Sequence, residues 1–402
     1  MIFGTRPEAV KMAPLALTLG ASPRIRLILG VTAQHREMLD QVLGIFRLRP
    51  EYDLDIMTER QTLAEITCRT LRGLDPILER ESPDLVLVQG DTTSAMAAAL
   101  AAFYHQIPVG HVEAGLRTWE KYFPYPEEIN RRLAGVLADL HFAPTGDNRR
   151  NLACEGVPEE RIYVTGNTGL DALAYTVRPD YVFHNPSFRG LSFEGAFGGS
   201  RVLLVEVHRR ESWGAGLAGI AAALREILDA EPDLRILFPV HPNPVVREAV
   251  FPVLSDHPRV LLTDPLSTDD FHNALARSHL VLTDSGGLQE EAPALGVPVL
   301  VARDVTERPE AVAAGGVKVV GTARESVLEE TLRVLRDPEI HRRMAGAGSP
   351  YGDGRASERT ARAILHFFGL GERPADWDPR REGPALLPAA RVRQDQHPKP
   401  GV

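Results

Sequence analysis

The chain has 402 residues and a mass of 44.1 kDa, with 44% hydrophobic and 25% charged residues. This length and composition predict two or three folded domains and exclude wholesale disorder. The net charge of −9 disfavours a nucleic-acid partner bound mainly through charge. No stretch approaches the length of apolar residues that a membrane span needs. Cys68 and Cys154 match no metal or disulfide motif, and the N-terminus lacks a signal-peptide pattern, so we expect a cytoplasmic protein.

Short apolar runs alternate with helical stretches along the chain. A run at 24–31 precedes a helical pattern at 32–46, and runs at 84–88 and 109–113 flank an alanine-rich helix. In the second half, six further runs are predicted as strands: 202–207, 234–240, 259–262, 280–283, 297–301 and 318–320. Continuous apolar strands that alternate with helices indicate an α/β protein whose parallel sheets are covered on both faces.

These strands are too numerous for one ordinary doubly wound sheet, so we predict two Rossmann-like domains with the active site in the cleft between them. A segment rich in proline, glycine and aromatic residues near 178–200 marks the boundary region. We assign residues 1–170 to the N-terminal domain and 171–355 to the C-terminal domain. Residues 371–402 contain six prolines and predict an extension that is mobile or packs irregularly.

Two motifs in the first half place polar residues after predicted strands. In GTRPEAVK, Arg6 and Lys11 lie in the first turns of a helix, where free N–H groups and cations form an anion site. The alternative is an ordinary capped helix with solvated cations. In QGDTT, Asp91 follows an apolar strand and is a candidate for chemistry, while the alternative is that Asp91 or Thr92 caps the next helix.

Two more motifs carry carboxylates. His111 and Glu113 alternate on a predicted strand and so share one face, but no third metal ligand stands at a suitable spacing. Glu113 is therefore a candidate base or hydroxyl binder. Glu127 opens a helix after two prolines, with Arg131 one turn later on the same face. A surface ion pair is the alternative interpretation of Glu127 and Arg131.

The second half carries cations after a strand. His208 and two arginines follow the apolar run at 202–207 directly, a pattern that suits a diphosphate. The alternative is a loop held by salt bridges to Glu211.

A small-residue turn follows the strand at 280–283. Ser285, Gly286 and Gly287 leave room for a phosphate, and Glu291 lies where a carboxylate could hold ribose hydroxyls. The turn does not match GxGxxG, so it does not support NAD binding.

Together these motifs closely resemble the bacterial non-hydrolysing UDP-N-acetylglucosamine 2-epimerase family, in order over residues 2–368. The segments that carry the resemblance are GTRPEAVKMAP, TAQHREMLDQVL, VQGDTTS, GHVEAGLRT, PYPEEINRR, VTGNTGLDAL, HRRES, FPVHPNPVVRE, TDSGGLQEEAPALGVPVL, TERPEA and SPYGDGRAS. The resemblance implies a GT-B fold whose C-terminal helix, about 356–368, crosses back to the first domain. It also implies a homodimer that needs no cofactor or metal, binds neither nucleic acid nor membrane, and serves cell-surface polysaccharide biosynthesis.

The activity that the resemblance implies is reversible epimerisation at C2 of UDP-N-acetylglucosamine to UDP-N-acetylmannosamine. It proceeds by elimination of UDP to 2-acetamidoglucal and re-addition. Three alternatives remain: a hydrolysing 2-epimerase that releases N-acetylmannosamine and UDP, a GT-B glycosyltransferase, and a UDP-sugar sensor without catalysis.

The resemblance also implies roles for individual residues. Those matching catalytic positions are Asp91, Glu113, Glu127 and His208. Those matching substrate-binding positions are Arg6, Lys11, Arg131, Phe271, Ser285, Gly286, Gly287, Glu291 and Arg308. A second site, at which the substrate activates bacterial members, would include Gln34, Glu37, Arg60, Gln61 and His241.

Overall fold

The structure, a computed structural model, describes residues 1–33, 36–58, 61–188, 192–382 and 387. The chain divides into two compact units. The first comprises Met1–Ala172 and the segment from Tyr351, and the second comprises Leu173–Pro350 together with Leu387. Among the described residues, no helix combines the length and apolar character that crossing a membrane requires.

The described residues of the first unit form seven short parallel strands. They are β1 (Ile2–Phe3), β2 (Gly30–Val31), β3 (Tyr52–Asp53), β4 (Val86–Gln89), β5 (Val109–Val112), β6 (Leu140–Ala143) and β7 (Ile162–Val164). Hydrogen bonds join them into two sheets, in the orders β1-β2-β3 and β4-β5-β6-β7, and β1 lies beside β4. β4 to β7 are buried throughout and mostly apolar, as expected of a parallel sheet covered on both faces, with Gln89, His111 and His141 as buried polar exceptions.

Nine helices have residues in the first unit, as far as the structure describes it. They are α1 (Arg6–Gly20), α2 (Arg36–Phe46), α3 (Leu63–Glu81), α4 (Thr93–Tyr104), α5 (Glu127–Leu137), α6 (Gly146–Cys154), α7 (Thr168–Thr176), α16 (Ala356–Phe367) and α17 (Pro379–Glu382). The boundary between the units falls inside α7. Alanine side chains let α4 pack closely between α3 and α5, so most of α4 is buried.

The second unit has one parallel sheet of six strands, in the order β10-β9-β8-β11-β12-β13. They are β8 (Arg201–Glu206), β9 (Leu234–Pro239), β10 (Val260–Thr263), β11 (Leu280–Thr283), β12 (Val299–Val301) and β13 (Val317–Val319). The order reverses between β8 and β11, so this is the topological switch point. Ligands of open parallel sheets bind at the carboxyl ends of such strands.

Eight helices belong to the described part of the second unit. They are α8 (Phe193–Phe197), α9 (Ala215–Ala230), α10 (Pro244–Leu254), α11 (Thr268–Arg277), α12 (Leu288–Ala294), α13 (Pro309–Ala314), α14 (Arg324–Arg336) and α15 (Pro338–Ala345). A contiguous apolar core joins α9, α10 and α14 to the central strands, which leaves polar residues mainly at the strand ends.

The predicted strands agree with the structure best in the second unit, where β11 has the predicted bounds. The strand predicted at 24–31 is wrong in length, because only Gly30 and Val31 pair with β1 and β3. Extended residues without a partner strand form no ladder. The sequence analysis missed β3, β6 and β7, which are four residues long or shorter.

The sequence predicts a C-terminal extension that is mobile or packs irregularly, and the described first part of it packs irregularly. Trp377 is buried, and its N–H donates to the Val164 carbonyl at 2.8 Å. In return the Val164 N–H donates to the Asp376 carboxylate at 2.9 Å. These two bonds cover the free edge of β7, the outermost strand of its sheet.

Candidate active site

Glu113 is a buried carboxylate of the first unit that receives several hydrogen bonds. It follows β5 directly and has a positive φ of 63°, a conformation that non-glycine residues rarely adopt. Its carboxylate accepts hydrogen bonds from Lys11, Gln89 and Asn167, the last at 3.0 Å. Lys11 supplies a positive charge and the two amides supply neutral donors, so the Glu113 carboxylate is held in place from three directions.

The backbone around Glu113 explains this position. Gly90 has a positive φ of 68°, and a Cβ there would lie 3.5 Å from Glu113 Oε2, so the turn after β4 wraps closely around the carboxylate. His111 lies in β5 and its Nε2 is 2.7 Å from the Gly90 carbonyl. Burial lowers the pKa of His111 to about 4, so its ring is neutral at pH 7. The strand alternation predicted to put His111 and Glu113 on one face ends at Val112, because the backbone turns at Glu113.

Asp91 is bound by a cation from α5. The guanidinium of Arg131 donates to Asp91 Oδ2 through Nε, at 3.0 Å, and through Nη2. The capping alternative applies to Thr92, whose side chain accepts the N–H of Ala95 at the start of α4. Asp91 is therefore available for a role other than capping, and Arg131 fixes its orientation.

The predicted helix after the two prolines is α5, and half-buried Glu127 opens it. The next residue, Glu128, is fully buried and was not singled out from the sequence. It accepts the backbone N–H groups of Thr118 and Trp119 at 3.1 and 3.2 Å and pairs with Arg131 at 3.3 Å. Arg131 thus joins Glu128 to Asp91, which is more than the surface ion pair considered for it.

The side chain of Glu8 caps the GTRPE turn, which precedes α1 and continues into its first residues. Glu8 accepts the backbone N–H groups of Gly4 and Thr5 at 2.8 and 2.7 Å and the hydroxyl of Thr92 at 2.6 Å. Burial raises the pKa of Glu8 despite these donors. The N–H groups just before α1 are therefore occupied, and Thr5 Oγ1 accepts the N–H of Glu8 in the first turn, as the capped-helix alternative expects. Arg6 is half-buried and has no salt-bridge partner within the described part of the chain, so it remains a candidate anion ligand.

In the second unit, His208 lies at the switch point between β8 and β11. Its Nδ1 is 2.7 Å from Glu206 Oε1 and 3.5 Å from Asp284 Oδ1. Burial opposes protonation of the ring, but these two carboxylates outweigh it and raise the pKa of His208. Glu211, the proposed salt-bridge partner of this loop, lies instead 3.7 Å from Arg303.

The turn from Ser285 to Gly287 brings the other predicted ligands together. A Cβ on Gly286 would lie 3.7 Å from Arg308 Nη2, and one on Gly287 would lie 3.6 Å from Glu291 Oε1. The predicted ligands Arg308 and Glu291 therefore both border the turn.

The neighbours of this turn are themselves fixed. Arg308 donates from Nε to the buried Glu290, and Glu291 Oε2 lies 3.7 Å from His272 Nε2. The N–H of Ser285 is already taken by the Thr283 hydroxyl at 2.9 Å. Phe271 is half-buried in α11, beside His272.

The structure reaches only part of the predicted activator site. Gln34 and Arg60 lie outside the described residues, as does the side chain of Glu37. Gln61 accepts two hydrogen bonds from Thr58, each at 3.0 Å. The ring of His241 stacks on that of His208, with centroids 5.3 Å apart.

Sequence reasoning missed the partners that orient these groups. Gln89 and Asn167 bind Glu113, Glu8 joins two loops, and Glu206 and Asp284 face His208. Glu8 has a usable local signal, the Thr5-x-x-Glu8 spacing of a capping box. Gln89, Glu206 and Asp284 each end or follow an apolar strand, which is a weaker signal.

Two units of parallel strands flanked by helices define an α/β protein with Rossmann-like domains. The profile described as UDP-N-acetylglucosamine 2-epimerase matches residues 18–365. The chain belongs to the UDP-N-acetylglucosamine 2-epimerase family.

Individual relatives agree over nearly the whole chain. The UDP-N-acetylglucosamine 2-epimerase of Bacillus subtilis is 51% identical over 375 residues, covering 93% of this chain and 97% of its own. The solved Neisseria meningitidis UDP-GlcNAc 2-epimerase, bound to UDP-GlcNAc, is 44% identical with a TM-score of 0.83, and the match covers 91% of this chain and 98% of that one. The Methanocaldococcus jannaschii enzyme, in complex with UDP-GlcNAc and UDP, is 31% identical with a TM-score of 0.75 and the same coverage. The predicted GT-B fold class is confirmed.

Proposed function

We propose that this protein interconverts UDP-N-acetylglucosamine and UDP-N-acetylmannosamine without hydrolysis, through elimination of UDP and its re-addition. The observation that carries the proposal is Glu113, a carboxylate held by Lys11, Gln89 and Asn167 at a strand end in a chain of this family. A carboxylate fixed by three donors is an oriented proton acceptor, which the reaction needs.

The chemistry explains why more than one carboxylate is required. The C2 proton of the sugar is not next to a carbonyl and is too weakly acidic for direct removal. When the C1–O bond breaks, its electron pair leaves with UDP, C2 loses its proton, and a C1–C2 double bond forms. Re-addition of UDP to C1 and of a proton to the opposite face of C2 gives the epimer. Two faces of C2 need two proton-transfer groups.

We assign proton transfer to Glu113 and Asp91. Glu113 is paired with Lys11, and Asp91 is oriented by Arg131. Glu127 either shares in proton transfer or stabilises the cationic character that develops at C1.

We assign the nucleotide to the second unit. His208 and Arg308 would stabilise the negative charge that grows on the departing diphosphate, with Arg6 contributing from α1. Gly286 and Gly287 leave room for phosphate oxygens. Glu291 would bind the ribose hydroxyls, and Phe271 would pack on the uracil.

We further propose a homodimer that works in the cytoplasm. α4 exposes Phe103 and Tyr104, and α5 exposes Leu133 and Val136, the last to 83%. Large apolar side chains grouped on helices are typical of protein interfaces. Two exposed, free cysteines fit a reducing compartment. Sedimentation equilibrium tests the oligomer, and a monomer at micromolar concentration would contradict it.

The decisive experiment is a proton NMR time course with UDP-N-acetylglucosamine in deuterium oxide. We expect UDP-N-acetylmannosamine with deuterium at C2 and no free sugar. Free N-acetylmannosamine together with UDP would show a hydrolysing enzyme. Unchanged substrate, with binding shown separately, would indicate a glycosyltransferase without its acceptor or a sensor.

A further inference from the structure

Glu206 and Asp284 surround one nitrogen of His208 in a fixed arrangement. Glu206 is the last residue of β8 and Asp284 follows β11, the adjacent strand. Each carboxylate has one oxygen anchored elsewhere. Glu206 Oε2 accepts the Thr283 hydroxyl at 3.0 Å, and Asp284 Oδ2 accepts the backbone N–H groups of His208 and Arg209 at 2.9 and 2.8 Å. The remaining oxygens face His208 Nδ1 at 2.7 and 3.5 Å.

The charges around His208 favour its cationic form. Asp284 is fully buried, so its negative charge is poorly screened by water. Arg209 opposes protonation of the imidazole, and the stacked ring of His241 is the other titratable group against it. Glu206 and Asp284 outweigh these effects and the burial of the ring. A histidine at its ordinary pKa of about 6.5 would be mostly neutral above pH 7.

We propose that Glu206 and Asp284 are positioning residues that keep His208 doubly protonated, with both carboxylates beside Nδ1 and Nε2–H left to bind a phosphate. The proposal rests on the proposed function, because that function puts the diphosphate of a UDP-sugar at His208. It adds that the second unit holds a fixed cation for the leaving diphosphate at neutral pH. It also explains how a histidine can supply the fixed positive charge that an arginine would otherwise be expected to supply.

The first test needs no ligand. NMR of the protein with isotope-labelled histidine follows the ring of His208 against pH, with its signal identified by its loss in His208→Gln. We expect a midpoint above 6.5 in the unchanged protein and a fall of about one pH unit or more in Glu206→Gln. Asp284→Asn should act in the same direction. Glu226→Gln, in a surface ion pair with Arg324, is the matched control and should not move the midpoint. An unchanged midpoint in Glu206→Gln overturns the proposal.

The second test measures binding of UDP-N-acetylglucosamine by calorimetry at pH 6 and pH 8, where its diphosphate does not titrate. In Glu206→Gln we expect nearly unchanged affinity at pH 6 and a loss of up to about tenfold at pH 8, which corresponds to a midpoint lowered by one pH unit. An equal loss at both pH values would indicate a merely structural role and would overturn the proposal.

The same three groups also form a possible donor set for a metal ion. If Zn²⁺ or Mg²⁺ shifts the His208 signal and EDTA reverses the shift, the carboxylates serve a cation and the proposal is wrong. If the NMR midpoint moves as expected but UDP-N-acetylglucosamine does not bind, the state assigned to His208 holds and the proposed function fails.

Discussion

The side-chain amide of Asn167 donates to Glu113 Oε1 at 3.0 Å, the same oxygen that receives the ammonium group of Lys11. The backbone of Asn167 is fixed as well, since its N–H donates to the Tyr351 carbonyl at 2.7 Å. Two donors on one oxygen, with Gln89 on the other, hold the carboxylate in a single orientation.

Replacing Asn167 should therefore impair catalysis through the state of Glu113. Asn167→Ala removes one donor, and we expect kcat to fall by about tenfold to a hundredfold. Asn167→Asp adds a second negative charge against Glu113, so its kcat should fall further and recover as pH decreases. The measurement is the pH profile of kcat for both variants. Identical profiles for Ala and Asp would argue that Asn167 acts through packing alone.

Glu113→Gln should nearly abolish epimerisation while substrate binding persists. The amide keeps the shape of the side chain but cannot accept the C2 proton, so we expect kcat to fall by at least about a thousandfold. Deuterium incorporation at C2 measures the chemistry, and calorimetry with UDP-N-acetylglucosamine measures binding. Turnover at the normal rate would remove Glu113 from the mechanism.

Arg308→Ala should weaken UDP binding by at least about tenfold, since a cation beside the Gly286 turn is lost. The change also leaves Glu290 buried without its guanidinium partner, so the Arg308→Ala, Glu290→Gln double variant separates charge loss from local damage. Calorimetry with UDP provides the measurement. Arg324→Ala, at an exposed pair, is the control. Unchanged UDP affinity in the double variant would contradict the role of Arg308.

Two buried histidines should make the fold sensitive to acid. His111 and His141 are paired on adjacent strands, and burial lowers their pKa values to about 4 and about 3. In the unfolded chain the pKa of histidine is near 6.5, so the unfolded chain binds protons that the folded chain does not bind. The free energy of unfolding therefore falls as pH falls from 6.5 towards 4. At pH 5 each of these histidines should lower the free energy of unfolding by about 2 kcal/mol relative to pH 7.

Asp171 acts in the opposite direction. Burial raises the pKa of Asp171 to about 6, above the pKa of an aspartate in the unfolded chain. Protonation of Asp171 below pH 6 therefore stabilises the fold, and at pH 5 it offsets about 1 kcal/mol of the stability lost through the two histidines. Denaturant titrations between pH 4 and 7 test the balance. His141→Leu should flatten the pH dependence of the unfolding free energy, whereas His184→Asn, at an exposed histidine, should not. If His141→Leu leaves the pH dependence of the unfolding free energy unchanged, this account is wrong.

The sequence by itself predicted most of the strands and the residues that follow them, although it missed β3, β6 and β7. Apolar runs are local, and burial on both faces leaves only the carboxyl ends free for polar groups, so Asp91, Glu113 and His208 could be singled out. The exceptions are instructive. The run at 24–31 forms a strand only at Gly30 and Val31, because a strand also needs a neighbour to pair with.

Only the tertiary structure decided which groups act on one another. Lys11 and Asn167 reach Glu113 from 102 and 54 residues away, and Asp284 reaches His208 from 76. Glu113, with its positive φ, likewise lies against the turn at Gly90, 23 residues earlier in the chain. Local patterns report burial and hydrogen bonding within a few residues, whereas these contacts exist only once separate strands are aligned in one sheet. The pKa of His208 is raised by such contacts, so it belongs to the fold rather than to any single motif.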